Sequence, residues 1–133
     1  MLQRIVAAVF GFSLAATAAV MLFAPRAWYD VFPGVLETGP FNPHFVRDLG
    51  CAFIAVAGVL LVHAVARRPP ISALIAMAVF IALHALVHIG ELFAMSGARA
   101  GHAVLRDLPS VYLPAILLIW FAVAAMRRDR RCA

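Results

Sequence analysis

Three ionisable side chains are spaced along one apolar segment in a way that could support chemistry. His84, His88 and Glu91 lie four and three residues apart in the stretch HALVHIGE, so they share one face if the segment is helical. Two imidazoles one turn apart, with a carboxylate, can bind a transition metal. The same groups can exchange protons or hold a polar headgroup. Because ionisable residues in an apolar segment are costly, we expect this face to be functional.

A second polar group opens the preceding apolar segment. The stretch NPHFVRDLG places His44 and Asp48 four residues apart, with Arg47 beside them. We expect the two groups to face each other and to line a polar pocket. Asp107 and Tyr112, near the start of the last apolar segment, are further candidates for this lining, and Asp107 is expected to cap the last helix.

The pocket admits three interpretations. As a metal site for copper, zinc or iron, it would use the imidazoles and carboxylates of His84, His88, Glu91, His44 and Asp48. As a site for a quinone, lipid or isoprenoid headgroup, it would use Arg47 and Tyr112, with Glu91 or Asp48 as the catalytic acid or base. In the third interpretation Arg47 pairs with Glu91 or Asp48, and the network only fixes the register of the helices.

Composition shows which elements must position these residues. The chain has 133 residues, of which 65% are apolar and 13% charged, and its mean hydropathy is +1.00. A soluble domain carries roughly 25% charged residues, so lipid is the expected solvent. Four segments, at about 4–24, 44–66, 71–96 and 108–126, are long enough to cross a bilayer. We therefore predict one all-α domain spanning residues 1–133, an integral membrane antiparallel four-helix bundle with an external loop at 25–43 and a tight turn at 67–70.

Charge predicts the orientation of this bundle. With both termini and the 67–70 turn inside, that side holds seven arginines against one aspartate, and the other side holds four arginines against five acids. This asymmetry predicts an N-in, C-in topology. Short basic clusters beside apolar segments are typical of membrane topology, so no nucleic-acid partner is expected. Cys51 and Cys132 have no CxxC spacing, so neither a disulfide nor a two-cysteine redox centre is expected.

The first apolar segment carries a stripe of small side chains. Ala7, Gly11, Ala15 and Ala19 recur every four residues, and such stripes let helices approach closely in lipid. The apolar run of about 20 residues favours a membrane helix over a cleaved leader.

The chain resembles the DoxX-like group of small bacterial membrane proteins. The resemblance rests on the four short helices and on the stretch TGPFNPHFVRDLG, chiefly Asn42, His44, Arg47, Asp48 and Gly50. It implies a four-helix bundle of the bacterial inner membrane and an association with quinone-linked or thiol-oxidising redox systems. We expect a small membrane protein that is redox-associated or metal-binding. The alternatives are a non-catalytic accessory subunit of a larger membrane complex, or an enzyme or binder for a lipid-like headgroup. The expected partners are the lipid bilayer and another membrane protein or a second copy.

Overall fold

The described part of the computed structural model covers residues 1–66, 70–95 and 97–132, and it is mostly helical, with no strand in these ranges. The helices are α1 (Leu2–Phe23), α2 (Pro25–Val31), α3 (Pro43–Val65), α4 (Ile71–Leu92), α5 (Ala98–Asp107) and α6 (Leu113–Cys132). A short 3-10 helix lies at Val35–Glu37, and a π-helical segment at Leu108–Tyr112 joins α5 to α6. The all-α prediction is confirmed.

Four helical stretches within the described residues are long and apolar enough to cross a membrane: α1, α3, α4 and the continuous stretch Ala98–Arg131. This supports a multi-pass membrane protein in a lipid environment. The first three match the predicted segments, although α4 already ends at Leu92 rather than at 96. The structure has helices outside the four predicted segments. Residues 97–107 mostly form α5, and the expected loop at 25–43 contains α2 and the 3-10 helix. The predicted turn at 67–70 lies, except for Pro70, outside the described residues.

The chain packs as two compact units, Met1–Arg68 and Pro69–Ala133. In the first unit α1 packs along α3 at glycines on both helices. A Cβ atom on Gly11 would stand 2.8 Å from Leu61 of α3, and one on Gly50 would stand 3.1 Å from Met21 of α1. Both distances are shorter than the ordinary carbon–carbon contact of about 3.5–4.0 Å. A side chain at either position would therefore force its neighbours to shift, and the shift would be larger at Gly11.

The small-residue stripe of α1 was only partly identified. Ala7 and Gly11 are buried as expected, but the buried face continues through Ala18 and Met21 rather than through Ala15 and Ala19. A strict four-residue spacing drifts by about 40° per step around a helix with 3.6 residues per turn. Two packed helices keep their contact along a mixed three- and four-residue spacing.

Arginines satisfy the carbonyl groups at the ends of both helices in this unit. Arg47, near the start of α3, donates from Nε to the carbonyl of Leu22 at 3.2 Å, near the end of α1. Arg4, near the start of α1, donates to the carbonyls of Val65 and Ala66 at the end of α3. The last carbonyls of a helix lack partners within it and carry partial negative charge, so a guanidinium is well suited to both ends.

In the second unit α4 packs against α6. Leu74 and Ile81 of α4 and Leu118 and Phe121 of α6 are nearly inaccessible and belong to the core. The π-helical segment Leu108–Tyr112 also packs against α4. It contains Pro109, which has no N–H to donate, and such irregular turns within a helix are frequent at functional sites.

Candidate functional site

The second unit contains a hydrogen bond between α4 and α5 that involves a buried carboxylate. Asp107, the last residue of α5, is only 5% exposed, and its Oδ2 lies 2.9 Å from Nδ1 of His88 on α4. The contact forms because α5 continues as a helix up to Asp107 and returns the chain against the end of α4. A buried carboxylate is costly unless it is hydrogen-bonded, and here an imidazole provides that bond.

Arg106 neutralises the same carboxylate. Its Nε donates to Oδ1 of Asp107 at 2.7 Å, and its Nη2 donates to Oδ2 at 3.2 Å. Two parallel N–H···O bonds are the geometry in which a guanidinium pairs best with a carboxylate. Both oxygens of Asp107 are thus engaged, and the cluster holds its negative charge next to a permanent positive one.

His84 extends the cluster along α4. Its ring centroid lies 4.8 Å from that of His88, and the two rings are nearly perpendicular at 72°. Glu91, one turn beyond His88, is exposed, but it is close enough to His84 to interact electrostatically with it. The shared helix face predicted for His84, His88 and Glu91 is therefore confirmed for the two histidines by direct ring contact.

A buried tyrosine hydroxyl, that of Tyr112, also lies in this unit. Its hydroxyl oxygen is inaccessible and has no hydrogen-bond partner among the described residues. It closes the π-helical segment and lies within electrostatic range of Asp107, Arg106 and Glu91. Leaving a buried hydroxyl without a partner costs about 1–3 kcal/mol, so such a group calls for an explanation.

No preformed metal centre is visible in the described part of the chain, where no three His, Cys, Asp or Glu side chains converge on one point. One feature of metal sites is nonetheless present. A metal-binding histidine usually donates its other ring N–H to a carboxylate, and His88 contacts Asp107 through Nδ1 in this way. Metal binding by His84, His88 and Glu91 stays a prediction.

The predicted site residues of the first unit lie at the start of α3. His44 Nε2 and Asp48 Oδ2 are 3.3 Å apart, as their i, i+4 spacing predicts, and their side chains are 86% and 62% exposed. Arg47 donates to the Leu22 carbonyl and thereby joins α3 to α1. These contacts give Arg47 a structural part in the first unit, whereas a role in binding a cofactor stays a prediction.

The expectation that Asp107 caps the last helix was wrong. Its side chain makes no capping hydrogen bond, because the helix already begins at Ala98 and both carboxylate oxygens accept from His88 and Arg106. The pairing with Arg106 was missed. The sequence could have predicted this pairing, because Arg106 and Asp107 are adjacent. Two charges beside an apolar helix carry a high desolvation cost unless they form an ion pair.

No protein-family model, curated protein or solved structure matches this chain. The resemblance to DoxX-like proteins stays a prediction.

Proposed function

We propose that the second unit binds the neutral, oxygen-bearing headgroup of a membrane-soluble molecule of the quinone class through hydrogen bonds from Tyr112 and His88. The observation that carries this proposal is the buried Tyr112 hydroxyl, which has no hydrogen-bond partner among the described residues. A ligand carbonyl would accept from this hydroxyl and remove the cost of leaving it unpaired.

The charges around Tyr112 favour a neutral headgroup over a phosphate or a carboxylate. Arg106 is the nearby cation, and its guanidinium is paired with Asp107. Glu91 adds a negative charge within electrostatic range of the tyrosine. An anionic headgroup would be repelled by Glu91 and would find Arg106 already paired with Asp107. A neutral carbonyl needs only a hydrogen-bond donor, which the Tyr112 hydroxyl provides.

His88 is oriented to bind a ligand through one ring nitrogen. Asp107 engages Nδ1 and fixes the orientation of the ring, so Nε2 is the nitrogen left to bind a ligand group. A carboxylate that holds one nitrogen of a histidine orients the other. His84 lies next along the helix and offers a second imidazole in ring contact.

The charge asymmetry of the sequence supports an orientation with both termini in the cytoplasm, and the resemblance to DoxX-like proteins supports a location in the bacterial inner membrane. In that orientation the His88–Asp107 pair belongs to the outer half of the protein. This placement, the quinone-linked redox association and any accessory role in a larger membrane complex belong to the proposal.

The test is the binding of decylubiquinone to the purified protein in uncharged detergent, measured by isothermal titration calorimetry. Tyr112→Phe deletes only the hydroxyl and is expected to weaken binding about 3- to 10-fold, the equivalent of one hydrogen bond. Tyr29→Phe is the matched control, because the Tyr29 hydroxyl donates to the Gly39 carbonyl in the first unit. Equal affinities of the wild type and Tyr112→Phe, or no binding by the wild type, would refute the proposal.

A transition-metal site is the second candidate function. It is favoured by the ring contact of His84 with His88 and by the carboxylate on His88 Nδ1. Elemental mass spectrometry of protein purified without a metal-binding tag should then find about one equivalent of metal per chain. Its loss from the His84→Ala/His88→Ala variant, with the helical circular dichroism unchanged, would favour the metal site over the headgroup site.

A further inference from the structure

The helix α6 continues beyond its apolar part and carries a basic cluster on its last turns. Apolar residues extend to Met126, and the helix then runs on to Cys132. Four arginines stand in this extension, all of them exposed: Arg127, Arg128, Arg130 and Arg131. Because the segment is helical, the helical period fixes the direction in which each arginine side chain projects from the axis.

The arginines occupy one side of the helix. At about 100° per residue, the four positions fall within an arc of roughly 160°. Asp129, the acid among them, lies about 180° from the centre of that arc. The positive charge is thus gathered on one side, named here the arginine face, and the negative charge is on the other.

The arginine face points away from the packed side of α6. Leu118 and Ala125 are buried, and they lie on the same side of the helix as Asp129 by its helical period. Ile116 and Trp120 are 61% and 41% exposed, and they lie within about 20° of the direction of Arg127. Arg127 and Arg131 therefore continue an exposed apolar strip.

The length of the arginine face along the helix axis matches the thickness of a phospholipid headgroup layer. Arg127 and Arg131 are about 6 Å apart along the axis, at about 1.5 Å per residue. The headgroup layer of one leaflet is roughly 5–8 Å thick, judged from the bilayer thickness with and without headgroups. The whole arginine face fits within one headgroup layer while the strip of Ile116 and Trp120 lies beside acyl chains.

We infer that the arginine face binds the phosphate groups of anionic phospholipids. The acyl chains then pack along the exposed apolar strip formed by Ile116 and Trp120. Clusters of four or more basic residues beside a membrane helix attract anionic lipid, each residue contributing a factor of roughly five in binding. Arginine suits this role because its planar fork forms paired hydrogen bonds with phosphate oxygens.

The test is competitive lipid retention. Protein in dodecyl maltoside is incubated with equal amounts of phosphatidylglycerol and phosphatidylcholine that carry the same acyl chains, and bound lipids are counted by native mass spectrometry. The wild type should retain phosphatidylglycerol in excess, and Arg127→Gln/Arg131→Gln should reduce that excess at least fivefold. The control Arg26→Gln/Arg99→Gln removes the same number of charges from exposed positions elsewhere and should keep the preference.

Each alternative result would overturn the inference. Equal retention of both lipids by the wild type would show that the arginine face selects no lipid. An equal loss in both double variants would mean that net charge, not this face, attracts the lipid. Displacement of phosphatidylglycerol by a tenfold excess of inorganic phosphate, at constant ionic strength, would mean that the face is a general anion site.

Discussion

The close approach of α1 and α3 at Gly11 allows a quantitative prediction. In Gly11→Ala the new methyl group would stand 2.8 and 2.9 Å from Cγ and Cδ2 of Leu61 and 3.3 Å from the carbonyl oxygen of Ala57. The Leu61 contacts are shorter than a normal carbon–carbon contact by about 0.6–1.2 Å. Overpacking of this kind typically costs about 1–3 kcal/mol.

The same substitution also brings a gain, because alanine is favoured over glycine within a helix by about 1 kcal/mol. Gly58→Ala on α3 isolates this gain, since no neighbouring atom lies within 4 Å of the position that its methyl group would take. Gly58→Ala is therefore expected to stabilise the first unit by up to about 1 kcal/mol. Gly11→Ala should be less stable than Gly58→Ala by about 1–3 kcal/mol, which is the packing cost alone.

The assay is unfolding by dodecyl sulfate in mixed micelles, followed by the fluorescence of Trp28. Trp28 belongs to the buried cluster with Met21 and Val46 in the first unit, and a Trp120→Phe background makes it the only tryptophan of the chain. If Gly11→Ala proves as stable as Gly58→Ala, the close approach of the two helices is not as the structure describes it. Leu61→Ala in the Gly11→Ala background should cost less than in the wild type, because it relieves the clash.

Three further substitutions test the caps and the buried ion pair. Asn42→Ala should destabilise the first unit by about 1 kcal/mol, measured by the same unfolding assay, because Asn42 Oδ1 accepts from two backbone N–H groups of the first turn of α3. Arg47→Gln should cost about 0.5–1 kcal/mol in that assay by removing the cation from the Leu22 carbonyl. Asp107→Asn should lower the unfolding free energy of the second unit by about 2–4 kcal/mol in urea-containing micelles, because Arg106 loses its buried partner. It should also weaken decylubiquinone binding.

Conservative variants serve as controls for these three. Asn42→Asp keeps a capping oxygen and should retain most of the stability. Arg47→Lys keeps the charge and should recover part of the loss. If Asp107→Asn is as stable as the wild type, the ion pair contributes nothing to the fold, and if it binds decylubiquinone unchanged, the carboxylate does not orient His88.

The long helices could be predicted from composition because four apolar runs leave few alternatives in lipid. Helix α5 could not, since it is short, lacks a long apolar run and carries Gly101 in its interior, where glycine is unfavourable. In the fold the segment is helical because Ala103 and Asp107 are buried, one turn apart. Tertiary burial thus overrides local preference in this segment.

The members of the candidate site could be predicted more fully than their contacts. The spacing of His84 and His88 predicts their ring contact, because residues four apart lie on one face. The sequence offers Asp107 as a candidate for the same pocket lining, but no local pattern predicts its direct contact with His88, because the two residues lie on different helices. Tyr112 is a candidate for the same reason, but the burial of its hydroxyl depends on where the π-helical segment places the side chain.

The continuous helical stretch Ala98–Arg131 is longer than a membrane is thick. Its 34 residues extend for about 51 Å at about 1.5 Å per residue, against roughly 30 Å of hydrocarbon. Suppose that Arg127 marks one boundary of the hydrocarbon and that the helix stands upright. About 20 helical residues then cross the hydrocarbon, so the opposite boundary lies at Asp107. Helix α5 projects into the water beyond it. The His88–Asp107 pair then lies at the opposite boundary, where a headgroup can arrive from the lipid.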